Sequence, residues 1–370
     1  MVVVMLRGAV DGLNVVVPYH ESNYFASRPN IGLGLPHSDD GVLDLDGFFG
    51  LHPALQPIMP LWQNKSLAFI HASGSPATTR SHFEAQDIME TASIDHSTGR
   101  GWMNNLIQLL PDTGSASRAL SISNILPRIF MGSASVMSVS TGLKPAGGPI
   151  VDNSNLTNAF EPLYRNNPAL SQAFQEGKAG HDAVMNDLQK EMGTSSQSAP
   201  YADGFVVLAD KLSGMIREDP NIQLAFLDVG GWDTHVNQGN AKGPLANNLA
   251  RLGEGLTALA NGLGPSYQDT VILVMSEFGR TVAENGNRGT DHGHGNVIWL
   301  LGGGVKGGKV WGRWPGLSPQ QLYEQRDLAI TTDFRSVIGT LLNGHFGLSK
   351  AQIAQVIESY QPDGSLTGIV

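Results

Sequence analysis

The sequence predicts an α/β fold with a mainly parallel central sheet. Three observations lead there: short apolar, often β-branched runs, polar or Gly-rich segments directly after them, and amphipathic stretches between them. Five runs read as strands: VVVMLRG (2 to 8), SLAFIHA (66 to 72), IQLAFLDVG (222 to 230), TVILVMS (270 to 276) and NVIWLLGG (296 to 303). The third and fourth are each preceded by a helical pattern, GFVVLADKLSGMIRED (204 to 219) and GPLANNLARLGEGLTALANGLG (243 to 264), with apolar residues at i, i+3, i+4 and i+7. That alternation is the βαβ signature. Residues 110 to 200 differ: they are rich in Ser, Asn and Pro, with a polar helical stretch HDAVMNDLQKEMG and the loop-like TSSQSAP. They read as an insertion or cap within a single domain spanning 1–370. The C-terminal TTDFRSVIGTLLNGHFGLSKAQIAQVIESYQ reads as two helices, the first capped by Thr332 or Asp333 and ending near Gly344.

Composition removes several function classes. The chain of 370 residues is 41% hydrophobic, enough for a substantial core, and carries a formal net charge of -10 with no dense run of Lys and Arg. Nucleic acid is therefore not an expected partner, because phosphate-backbone binding needs a basic footprint. The absence of cysteine excludes disulfides, thiolate nucleophiles and Cys-ligated metals, so any metal must be held by nitrogen and oxygen. No apolar run approaches the ~20 residues of a transmembrane helix.

Ligands of open α/β sheets sit outside the carboxyl ends of the strands. Those ends here are rich in ligand types: RGAVDGLN with Asp11, SGSPATTRSHFEAQDIME with Arg80 and Ser81, GGWDTHVNQ with Asp233 and His235, and SEFGRT with Glu277 and Arg280. GTDHGHGN, just before the fifth strand, adds Asp291, His292 and His294. Four of the eleven histidines lie at this edge. Residues i and i+2 of an extended chain point the same way, so Asp-x-His and His-x-His can converge on one ion. Carboxylates and imidazoles without thiolates suit Zn or Mn, with Mg or Ca as the alternatives. Two such ions about 4 Å apart could hold the attacking and leaving oxygens of a displacement at phosphorus or sulfur. Each element also has a purely structural reading. Asp11-Gly12 is a turn dipeptide, Ser81 with Glu84 is a capping box, Arg280 could pair with a surface carboxylate, and Trp311 and Trp314 could be packed tryptophans instead of a sugar platform.

RGAVDGLNVVVPY, LHPALQPIMPLW, RSHFEAQDIME, GGWDTHVNQG, MSEFGRTVAENGNRGTDHGHGNVIWLLGGGVKGGKVWGRWPGL and TTDFRSVIGTLL together resemble the bacterial domain-of-unknown-function 1501 family, which is grouped with sulfatase-like proteins of the alkaline phosphatase superfamily. The resemblance runs from about residue 6 to residue 345. It implies an alkaline-phosphatase-like three-layer sandwich with a site for two divalent cations. It assigns a first metal ligand to Asp11 and the nucleophile to Ser81, with Thr79 as runner-up. It assigns a ligand pair to Asp233 and His235, at a shorter spacing than the family's Asp-x-x-x-His. The superfamily's Asp-His-Gly aligns with Glu277-Phe278-Gly279, so a histidine ligand is missing there, and Asp291, His292 or His294 would have to complete the site. The Cys-or-Ser-x-Pro-x-Arg signature of formylglycine sulfatases is not matched around Pro76. Members are commonly preceded by a twin-arginine export signal, which implies a periplasmic or secreted protein whose signal this chain lacks.

The leading expectation is a metal-dependent hydrolase of phosphate or sulfate esters, small or polysaccharide, with Ser81 as nucleophile and Arg80 or Arg280 on the non-bridging oxygens. The rival from another class is a secreted binding or structural protein that keeps a metal for stability, and a third reading is a metal-dependent phosphomutase.

Overall fold

The computed structural model describes residues 1–95, 98–143, 172, 194–197, 199–357 and 364–370. Its strands are β1 (Val2–Leu6), β2 (Val16–Val17), β3 (Leu43–Asp44), β4 (Gly50–Leu51), β5 (Leu67–Gly74), β6 (Ala119–Ile122), β7 (Met137–Val139), β8 (Leu224–Val229), β9 (Val271–Ser276), β10 (Asn296–Gly302), β11 (Lys309–Trp311) and β12 (Thr332–Asp333). The helices that matter here are α1 (His82–Thr91), α2 (Trp102–Leu109), α3 (Phe205–Glu218), α4 (Pro244–Gly262), α5 (Phe334–Gly344) and α6 (Lys350–Val356).

All five expected strands form, and among the described residues they make the centre of a nine-stranded sheet ordered β11-β5-β10-β9-β1-β8-β6-β7, with β12 beside β5. β1 pairs in parallel with β8 and β9, β6 with β8 and β7, and β5 with β11 and β12, while β10 runs antiparallel to both β5 and β9. The continuous apolar runs follow from this placement, since central strands covered on both faces have no solvent side to alternate with. β1 shows the division: Val2, Val4 and Leu6 join the core of α3 and α4 through Phe205, Leu208, Leu249 and Leu256. Met1, Val3 and Met5 join the opposite core of α2, α5 and α6 through Trp102, Leu106, Val337, Leu341 and Ile353. The result is three layers, and each fully buried Leu or Ile in them stabilises by about 1.5–3 kcal/mol.

The two expected C-terminal helices are α5 and α6; Asp333 is the cap of α5, its side chain accepting from the Arg335 N–H. In the segment expected to be a cap or insertion, residues 119–122 and 137–139 are β6 and β7 of the central sheet itself. The polar helical stretch at 181–193 lies outside the described residues. Trp314 is packed edge-on against Phe49 (5.2 Å between ring centres) and His71 (4.8 Å), and Trp311 carries Lys309 over its ring at 4.2 Å. No helix among the described residues is long and apolar enough to cross a membrane.

Candidate metal centre

Because β10 is the reversed strand, the segment that enters it lies at the same edge as the segments leaving β1, β5, β8 and β9. Three imidazoles and one carboxylate meet there. His82 comes from the start of α1 after β5, Asp233 and His235 from the loop after β8, and His292 from the loop before β10. His82 Nε2 stands 2.9 Å from His292 Nε2, and His235 Nε2 stands 3.0 Å from His292 Nε2. Asp233 Oδ1 lies 3.0 Å from His235 Nε2 and 3.5 Å from His292 Nε2, and Asp233 Oδ2 lies 3.5 Å from His82 Nε2.

Each ring is held from behind through its other nitrogen. His82 Nδ1 is 2.7 Å from Glu277 Oε1, His235 Nδ1 is 3.1 Å from Asp291 Oδ1, and His292 Nδ1 is 2.9 Å from the Arg80 carbonyl oxygen. A carbonyl oxygen can only accept, so His292 Nδ1 carries the proton, and the same assignment suits the two carboxylate-held rings. Three neutral imidazoles arranged in this way would turn Nε2 lone pairs toward one another at about 3 Å, which is repulsive unless a metal ion or a ring proton lies among them. Donors on a tetrahedral Zn-sized ion sit about 3.3 Å apart, given bonds of about 2.0–2.1 Å. The separations of 2.9 to 3.5 Å bracket that value. Asp233 Oδ2 is buried, with only the distant His82 Nε2 at 3.5 Å facing it, an under-satisfied acceptor of the kind a cation satisfies. The donor set therefore fits a divalent ion held by His82, Asp233, His235 and His292, each imidazole braced in the manner of metal-ligating histidines.

The electrostatics agree. Burial alone would lower the His82 pKa, but hydrogen bonds to Asp233 and Glu277 outweigh it and raise it to about 9. Against the same burial penalty, Asp233 and Asp291 also raise that of His235. For His292 burial prevails and the pKa falls. Burial opposes ionisation of Asp233, yet Arg280 and the three imidazoles hold its carboxyl well below the usual range. Without a metal, His82 and His235 thus hold protons next to carboxylates, and a metal ion on the same nitrogens would have to displace them.

The other residues expected at the site are divided differently. Glu277, expected as a ligand, is fully engaged: Oε1 accepts from the Gly8 N–H, Gln86 Nε2 and His82 Nδ1, and Oε2 from Ser276 Oγ. Asp291, also expected as a ligand, braces His235 and accepts from Asn285 Nδ2. Asp11 stands apart from the cluster, both of its oxygens bound by buried Arg28 (2.6 and 3.0 Å) and one by Gln238. His294 lies flat against Tyr323, ring centres 4.2 Å apart. Among the described residues one metal-type cluster is present, built on His82, Asp233 and His292, where two ions were expected. Arg280, expected on substrate oxygens, is buried and spends its donors on the carbonyls of Ala9, Gly8, Trp232 and Thr290 and on Asp233. Its part is to hold Asp233.

Arg80 and Ser81 are at the mouth of the site. Ser81 is the N-cap position of α1, exposed, with no side-chain bond to the helix, so the expected capping box does not form. Thr79 Oγ1 instead donates to Glu84 at 2.6 Å. His82 had no role in the sequence reading. Its one local signal is Gln86, four residues on and on the same helix face, which shares Glu277 with it. The glycines have a clearer reason: Gly293 N–H donates to the Gly279 carbonyl at 2.8 Å, and a Cβ on Gly279 would sit 1.8 Å from the Gly295 oxygen. Only bare backbone allows the EFGR and DHGHG segments to press together and deliver His292.

No curated protein shows significant sequence similarity to the chain. Similar solved structures include the C-terminal periplasmic domain of EcEptC from Escherichia coli, with 9% identity, TM-score 0.44, and coverage of 97% of this chain and 87% of that one. They also include a protein in the alkaline phosphatase superfamily from Vibrio parahaemolyticus (9% identity, TM-score 0.38, 81% and 59% covered). A putative sulfatase from Bacteroides thetaiotaomicron is a third (10% identity, TM-score 0.36, 84% and 66% covered). The family model described as protein of unknown function (DUF1501) matches residues 1–359, and the chain belongs to that family.

Proposed function

We propose that the protein is a metal-dependent hydrolase of phosphate or sulfate esters, working outside the cytoplasm. The observation that carries the metal dependence is the convergence of three braced Nε2 atoms on Asp233, one of whose buried oxygens meets nothing closer than His82 at 3.5 Å. A divalent ion held by these four residues and taking a fifth donor would supply Lewis acidity and lower the pKa of the hydroxyl or water it accepts. The exposed Ser81 hydroxyl, next to His82 and not spent on capping, is the nucleophile of this reading. Its Oγ replaces the alcohol on phosphorus or sulfur, and water then replaces Ser81. The N-terminus of α1 favours the negative charge that develops there.

A second reading, a protein stabilised by one metal and without catalysis, draws support from Asp11 and Arg280, both consumed by internal partners. Metal-loaded wild type and Ser81→Ala, assayed on aryl phosphates and aryl sulfates with metal content measured in parallel, separate the two. The hydrolase reading expects turnover in the wild type alone and equal metal in both. Turnover retained by Ser81→Ala removes Ser81 as nucleophile, and a metal-loaded wild type inert on every ester favours the structural metal.

A further inference from the structure

We propose that Arg80 and Arg326, held side by side by Asp327, form the element that recognises the tetrahedral oxyanion of the ester, and that Glu324 occupies its place when no substrate is bound. The inference rests on the ester-hydrolase reading and gives that site its anion-binding group, a role that buried Arg280 cannot fill.

Both arginines are tied to His292, Arg80 through its backbone and Arg326 through its guanidinium. Its ring Nδ1 donates to the Arg80 carbonyl oxygen, and its own carbonyl oxygen accepts from Arg326 Nη2 at 2.7 Å. Between the two arginines lies Asp327, fully buried, with Oδ2 accepting from Arg80 Nη2 at 2.8 Å and from Arg326 Nη2 at 3.0 Å, and Oδ1 accepting from Arg326 Nε at 2.9 Å. One carboxylate thus orients two cations; with Glu324 in place the four groups are neutral, and its departure leaves one positive charge for an oxyanion. The arginine side chains are 33% and 43% exposed, open to a ligand, whereas the aspartate is not. Arg80 Nε is buried and makes no hydrogen bond, so the exposed part of the Arg80 guanidinium, not Nε, is what meets a ligand.

Glu324 supplies the remaining partner. Its carboxylate accepts from Arg80 Nη2 at 2.6 Å, but its side chain is 53% exposed, and it sits with Gln325 in left-handed backbone at φ 51° and 55°. An exposed pair of this kind adds little stability, so a better-matched oxyanion can displace it. The surrounding turn is fixed from both sides: Tyr323 N–H donates to the Asp327 carbonyl, Val282 N–H donates to the Arg326 carbonyl, and Tyr323 stacks on His294. Only the Glu324 side chain needs to move.

The test is calorimetric titration of the metal-loaded full chain with methyl phosphate and with methyl sulfate, which separates the two ester classes without requiring turnover. Arg326→Gln and Arg80→Gln should each weaken binding of the preferred probe by roughly tenfold or more. Arg326→Lys should recover part of the loss, because it restores charge but not the fork. Glu324→Gln should tighten binding, an outcome that a structural role for these residues does not give. Metal content measured on every variant confirms an intact centre. The proposal is overturned if Arg326→Gln binds both probes within about twofold of wild type, or if the metal-loaded wild type binds neither. Because binding is read apart from catalysis, an anion-binding but inert protein would sink the hydrolase reading and leave this one standing.

Discussion

Replacing Glu277 by Gln separates a group that holds a metal ligand from one that is a ligand. In the wild type Oε1 accepts three hydrogen bonds and Oε2 accepts one from Ser276 Oγ, while Ser276 Oγ also lies 2.6 Å from the Leu6 carbonyl and accepts from Val10 N–H. A glutamine can keep the three Oε1 bonds with its amide oxygen and turn its NH2 toward Ser276 Oγ, whose proton then goes to Leu6. No hydrogen bond is lost, but the buried His82 loses a counter-ion, so the metal-free fold should be weakened by up to about 3 kcal/mol at pH values where His82 is protonated. What disappears is the charge behind His82, which helps hold the His82 pKa near 9 and the Glu277 pKa near 2. Loss of such a bracing partner typically lowers metal affinity by about 10- to 100-fold, or about 1.4 to 2.7 kcal/mol. Competition with a chromophoric chelator at pH 7.5 measures it, with urea unfolding of the metal-free chain as the control. An affinity equal to wild type in a folded variant would refute the claim that Glu277 works through His82.

Further outcomes follow from the same geometry. The raised His82 pKa makes metal binding compete with a proton: apparent affinity should fall about tenfold per pH unit as pH drops below about 9, until other groups join in. In the metal-free chain the sign reverses. The folded-state pKa lies above the ordinary value of 6.5, so the stability His82 contributes is complete below about 6.5 and is lost as pH rises through about 9, which urea unfolding across that window would show. Asp11→Asn strips a buried arginine of its counter-ion and should cost about 3 kcal/mol of stability while leaving metal content unchanged; loss of metal with stability preserved would return Asp11 to the ligand set. Asp233→Asn should abolish the rise in unfolding free energy that added Zn gives the wild type, about 2.7 kcal/mol at a hundredfold excess over Kd.

The sheet was legible because its five central strands are buried on both faces and therefore read as unbroken apolar runs. β6, β11 and β12 were not, being two to four residues long, with β6 interrupted by Ser121. At the site, the clustering of Asp233, His235 and His292 followed from their common edge. The roles of Glu277 and Asp291 did not, because a carboxylate that binds a metal and one that braces a ligand have the same local sequence. Asp11 reads as a metal ligand only by the family resemblance; its pairing with Arg28, 17 residues away, has no local sequence signal to set against that assignment. His82 has no spacing pattern, being a lone histidine at a helix start; it joins the donor cluster only through contacts 151 to 210 residues away in the chain.

The claim that a cation joins His82, Asp233, His235 and His292 is tested most directly by elemental analysis of the untagged protein purified without chelator and reloaded with Zn or Mn. The account predicts about one tightly held ion per chain, lost in His82→Ala and in Asp233→Asn. No bound ion in the wild type, or metal content unaffected by both substitutions, would contradict it.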